Sequence, residues 1–117
     1  VPARLRKLAP AALATADTRA LVKHYLAVLE ERAPGRSVEV RVPPYAAVQV
    51  VPGVRHTRGT PPAVVETDAE TWLAVATGRT TWAEALASGA VLASGERTDL
   101  SPYLPLDGEA TGGAASG

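Results

Sequence analysis

The run Arg55-His56-Thr57-Arg58-Gly59-Thr60 places three potential cations within four positions, next to a glycine. Guanidinium groups present forked, charge-assisted donors to a carboxylate or phosphate, and a glycine lets backbone approach such a ligand closely. Arg55, His56 and Arg58 can therefore hold an anion, or they can belong to a solvated hairpin whose charges prevent strand edges from pairing. The run lacks the strand-to-helix glycine pattern of a nucleotide site. Glu66, Asp68 and Glu70 form a second cluster, with carboxylates that would suit acid–base work or a hard cation. A structural use is favoured instead, because Asp68 and Glu70 fall in the first turn of an expected helix, where negative charge is stabilised by the macrodipole and by capping. The other histidine, His24, falls opposite a stripe of Val22, Leu26 and Leu29 and is expected to be exposed. From what remains, no Ser-His-Asp or lysine-centred nucleophile can be assembled. No catalytic residue, metal ligand or cofactor is assigned.

The apolar candidates are Trp72 and Trp82. Trp72 and Leu73, with Val75 and Ala76, make the apolar face of one expected helix, and Trp82, Ala85 and Leu86 make that of the next. Two indoles among many alanines either fill the core or wall a cavity that Ala76, Ala83 and Ala85 leave open.

These residues must be positioned by one small domain. A chain of 117 residues supports a single core and removes roughly two-thirds of its unfolded-chain surface from water. Its hydrophobic fraction of 46% contains no Phe and no Met, so Ala, Val and Leu fill the interior and the two tryptophans and three tyrosines are the large packing units. Twelve basic residues balance twelve acidic ones, which argues against nucleic-acid binding. The lack of cysteine excludes disulfides and thiolate chemistry. No apolar run reaches the roughly 18 residues of a membrane span and no signal peptide is recognisable, so a cytoplasmic protein without stable membrane insertion is expected. The bias to Arg, Ala and Gly suggests a GC-rich bacterial genome.

Residues 1–16 form a weakly patterned segment, with Pro10 suited to the first turn of a short helix. Asp17 can cap a helix carrying Val22, Leu26, Leu29 and Ala33 on one face, stopped by Pro34 and Gly35. Val38, Val40 and Val42 alternate with Glu39 and Arg41 as in a half-buried strand, and Ala46 to Val51 reads as its antiparallel partner. Ala63 to Glu66 is a third strand. Thr67-Asp-Ala-Glu70 and Thr81-Trp-Ala-Glu84 both match the capping box, and Gly78 and Gly89 are placed to end the helices that follow. Val91 to Ser94 is a last strand, and Asp99 to Leu104 a turn or short helix. The Gly, Ala and Ser composition of residues 107–117 reads as a disordered tail. Grouped strands point to an α+β domain over residues 17–106, an antiparallel sheet with helices packed on one face.

The run from Ala63 to Leu106 with its leading proline, PAVVETDAETWLAVATGRTTWAEALASGAVLASGERTDLSPYLPL, resembles the C-terminal half of sterol-carrier-protein domains. The resemblance rests on the acidic helix start at Asp68, the aromatic-Leu pair Trp72 and Leu73, the helix end at Thr77 and Gly78, and the central Ala85. The strand from Gly89 to Gly95 and the closing Leu100 and Leu104 complete it. It is nearest to short sterol-carrier-like proteins of actinobacteria and to domains appended to mycothiol-dependent enzymes of the maleylpyruvate isomerase type. The family's basic "GKLK" strand is here Gly89-Ala-Val-Leu92. The resemblance implies a twisted antiparallel sheet, an apolar tunnel between sheet and helices, and lipid binding without catalysis. The ligand, an apolar small molecule or lipid, is then expected against Trp72, Val75, Ala76, Trp82 and Leu86, with an acidic head group near Arg55, His56 and Arg58. The alternative is an accessory domain that binds a protein partner and has no ligand cavity.

Overall fold

Pro10 opens a single turn of helix, α1 (Pro10–Leu13), at the position where its missing N–H costs nothing. The longest element, α2 (Thr18–Arg32), starts at Asp17, whose side chain accepts a hydrogen bond from the Ala20 amide at 2.9 Å. Its predicted stripe of Val22, Leu26, Leu29 and Ala33 is fully buried. The computed structural model describes residues 5–53, 63–95 and 98–107, so Arg55, His56 and Arg58 lie outside the described residues.

The alternation of valines produces β1 (Val38–Val42), with all three valines buried. A turn at Pro43 to Tyr45 returns the chain as β2 (Ala46–Val50), antiparallel to β1 with Val40 opposite Val48. The third strand, β3 (Ala63–Thr67), pairs with the other edge of β1, and β4 (Val91–Ser94) pairs antiparallel with β3. The sheet order is β2-β1-β3-β4.

One pairing differs from the expected all-antiparallel sheet. β1 and β3 run parallel, with Val38 opposite Ala63 and Val40 opposite Val65. The end of β2 and the start of β3 both face Val38, on opposite sides of it. Because β2 runs against β1, a chain leaving β2 at that end of the sheet can enter β3 only in the direction of β1. Periodicity within each strand carries no information on this choice.

Between β3 and β4 lie α3 (Ala69–Ala76) and α4 (Trp82–Ala87). Gly78 and Gly89 follow them at φ of 80° and 83°. There the amides of Arg79 and Ala90 donate back to the carbonyls of Ala74 and Ala85, closing each helix with the left-handed glycine motif. The capping box at Thr81 and Glu84 forms as the spacing predicts. The one at Thr67 does not. Thr67 instead completes β3 with its side chain buried, its hydroxyl donating to the Ala90 carbonyl at 2.9 Å, and Asp68 caps α3 by accepting from the Thr71 amide. Both residue types make good caps, and the inward place of Thr67 in the strand alternation decides between them.

All the helices in contact with the sheet cover one face. α2 lies against β2, α4 against β4, and α3 packs on both helices. On the other face Arg41, Ala47, Gln49 and Leu92 are exposed. Residues 98–107 include a 3-10 turn (Ser101–Tyr103) and return to the helices, where Leu106 and Asp107 donate their amides to the Ala76 carbonyl.

Candidate functional site

Trp72 stands at the centre of α3 with no exposed surface, and its indole N–H donates to the Val22 carbonyl of α2 at 3.4 Å. One turn further along, Val75 and Ala76 are buried in the same cluster. That spacing follows from the helical period, which sets positions three and four apart on one face. The capping box starts α4 directly at Trp82, and its indole joins that cluster with 3% of its surface exposed. Leu86 sits differently. It is 39% exposed, at the rim rather than in the interior. Four of the five apolar residues singled out from the sequence thus share one layer, built from α3, α4 and the sheet beneath. Of the small residues expected to leave room, Ala76 and Ala85 face this layer and Ala83 faces solvent.

The two indoles differ in one respect that composition hides. Trp72 has a hydrogen-bond acceptor, whereas the Trp82 Nε1 is buried and has none among the described residues. Buried indole N–H groups ordinarily find a partner.

A cleft of about 300 Å³ lies elsewhere, at the end of the sheet, lined by Pro43, Glu66, Asp68, Gly89, Ala90 and Leu92 among others. It contains none of the apolar residues chosen from the sequence. Of its acids, Asp68 is committed to its helix cap, a structural use as expected, though at the cap itself and not in the first turn. Among the described residues no group of three His, Asp or Glu side chains could hold a metal ion.

His24 overturns its expectation. It is only 7% exposed, because the N-terminal segment covers this side of α2: the Leu8 amide donates to its Nδ1 at 2.8 Å. An acceptor at Nδ1 requires the neutral imidazole with its one proton on Nε2. Burial, then the nearby charge of Lys7, lowers its pKa from the ordinary value, with Asp107 opposing. The adjacent Tyr25 meets the imidazole edge to face and donates its hydroxyl to Asp107 at 3.4 Å. Burial, and after it the charge of Asp107, pushes its phenol pKa up. Nothing in the stripe of α2 announced this contact, since the covering residues lie sixteen positions upstream.

With this geometry, the sequence matches the family model described as bacterial SCP ortholog over residues 14–106. The chain belongs to this bacterial sterol-carrier-protein family. No curated protein matches it. The part that matches the bacterial SCP ortholog family takes in α2, the whole sheet, α3, α4 and the closing turn, and so includes every described element of the layer around Trp72 and Trp82. The α1 turn and Leu8, which reaches into it to bond His24, precede it. Among the described residues no helix is long and apolar enough to cross a membrane.

Proposed function

We propose that this chain carries an apolar ligand, a lipid or acyl chain, between its helices and sheet, and performs no chemistry on it. The observation that carries this reading is membership of the bacterial SCP ortholog family across all the elements that build the layer. Trp72, Val75, Ala76 and Trp82 are its walls and Leu86 marks its rim. The element that yields to a ligand is α4, six residues long and held by two buried side chains, Trp82 and Ala85. Burying ten carbons of chain offers gross transfer energy of about 8 kcal/mol at ~0.8 kcal/mol per methylene, and immobilisation takes back a sizeable part. Micromolar affinity is the consequence. Arg55, His56 and Arg58 are proposed to receive an acidic head group. A cysteine-free chain suits a reducing interior, and the cytoplasm is its proposed location.

The test is titration with a fluorescent fatty acid. Binding is expected in the micromolar range or tighter, with a change in indole emission. Joint replacement of Arg55→Ala and Arg58→Ala is expected to weaken the acid more than its methyl ester. Equal losses would remove the head-group site, and no binding by emission or calorimetry would sink the carrier reading. A second reading has its own support, since the walls are buried and Leu92 is 64% exposed on the outer face. In that case the chain is an accessory domain that docks to a protein, and it binds no acyl ligand.

A further inference from the structure

Among the described residues, the Trp82 Nε1 is the buried side-chain nitrogen or oxygen that lacks any hydrogen-bond partner. Its position makes the vacancy informative. Trp82 is the first residue of α4 and packs in the apolar cluster with Trp72, Val75 and Ala76. A donor buried there has no protein partner among the described residues, and such groups are rare enough in folded proteins to require a reason. Phe in the same place would fill the layer with no orphan donor.

We infer that the Trp82 N–H is a recognition point for a neutral oxygen on the apolar ligand, the carbonyl of an ester or ketone, and that plain hydrocarbon is discriminated against. The inference rests on the carrier reading and deepens it by naming the ligand class. An acceptor of the right shape recovers the desolvation that the empty protein carries, whereas an alkane leaves the N–H unpaired in both states. Charge at this point is disfavoured: one N–H among apolar side chains cannot offset the cost of desolvating a carboxylate. An acidic end, where the ligand has one, therefore lies away from Trp82.

The experiment uses the full chain labelled with heavy nitrogen, titrated with methyl decanoate and, separately, with undecane at saturation, while the two indole N–H resonances are followed. The Trp82→Phe variant assigns the resonances. With ester the Trp82 indole proton is expected to move downfield, as a new hydrogen bond requires, while that of Trp72, already bonded to Val22, stays close to its place. Undecane is expected to bind without that shift. In dye-displacement measurements Trp82→Phe should weaken the ester about fivefold to tenfold more than it weakens undecane, the weight of one net hydrogen bond. Saturation by ester with an unmoved Trp82 proton overturns the inference and leaves the carrier reading intact, and so does an unchanged ester preference in Trp82→Phe. Failure of both probes to bind overturns the carrier reading itself. Where that variant folds poorly, through-bond assignment of the wild-type indoles replaces it and their shifts decide the matter.

Discussion

Two threonines in near-identical sequence contexts have opposite uses, and the difference lies in what each hydroxyl reaches. Thr81 accepts from the Glu84 amide at 3.0 Å, while the Glu84 carboxylate accepts from the Thr81 amide at 3.2 Å. The Thr81 amide, and after it the Thr80 hydroxyl at 3.1 Å, lower the Glu84 pKa by donating to its carboxylate. Thr67 caps nothing and binds the Ala90 carbonyl between α4 and β4. Thr81→Ala is expected to cost about 0.5 to 2 kcal/mol in urea unfolding, as a lost cap does. Thr67→Val, which keeps the shape, is expected to cost about 1 to 3 kcal/mol, because it leaves a part-buried carbonyl without its donor. A neutral Thr67→Val would show that water replaces the hydroxyl.

Among the elements, α2 is held from two directions. Its apolar stripe meets the sheet and α3, and its other side is covered by residues 5–8 through the Leu8 bond to His24 and an exposed Lys7 to Glu31 ion pair at 2.7 Å. The ion pair contributes little, since both side chains are about half exposed or more. The histidine contact carries a pH dependence. Its pKa lies below the ordinary imidazole value of about 6.5, so as pH falls through that value the unfolded chain binds more protons than the native one, and stability drops. The contribution is present above about pH 6.5 and is lost towards and below the folded-state pKa, where a proton on Nδ1 also expels the Leu8 amide. His24→Gln is expected to flatten the slope of unfolding free energy against pH in that window. An unchanged slope would place the titration elsewhere.

At the scale of the whole molecule, the last described residues close the structure. Leu100 and Leu106 are buried, and the Arg32 guanidinium at the end of α2 donates to the carbonyls of Tyr103, Pro105 and Leu106 at 3.3, 2.8 and 3.4 Å. The segment thus supplies core side chains and is fastened by one charged fork, which suits Arg and not Lys. Leu100→Ala is expected to lower stability by about 2 to 5 kcal/mol, the usual cost of emptying a buried leucine site. Arg32→Lys is expected to lower it by about 1 to 2 kcal/mol, because an ammonium cannot span three carbonyls. Denaturant midpoints at constant slope measure both.

The sequence by itself determined the features that a few neighbouring residues settle. Asp17, Thr81, Gly78 and Gly89 bound their helices as their types require, the valines at 38, 40 and 42 alternate into the core, and the order of elements matches the pattern. Trp72, Val75, Ala76 and Trp82 were legible as one apolar group for the same reason, since helical spacing brings them to buried faces. Only the tertiary structure decided the parallel pairing of β1 with β3, the burial of His24 under Leu8, the choice of Asp68 over Thr67 as cap, and the exposure of Leu86. The first two depend on a partner far along the chain, and the last two on how each element sits against its neighbours, which local composition does not reveal. The unpaired Trp82 N–H belongs with these. Whether a donor is satisfied is a property of everything packed around it, so two tryptophans ten residues apart, alike in burial, differ in whether the indole N–H has a partner among the described residues.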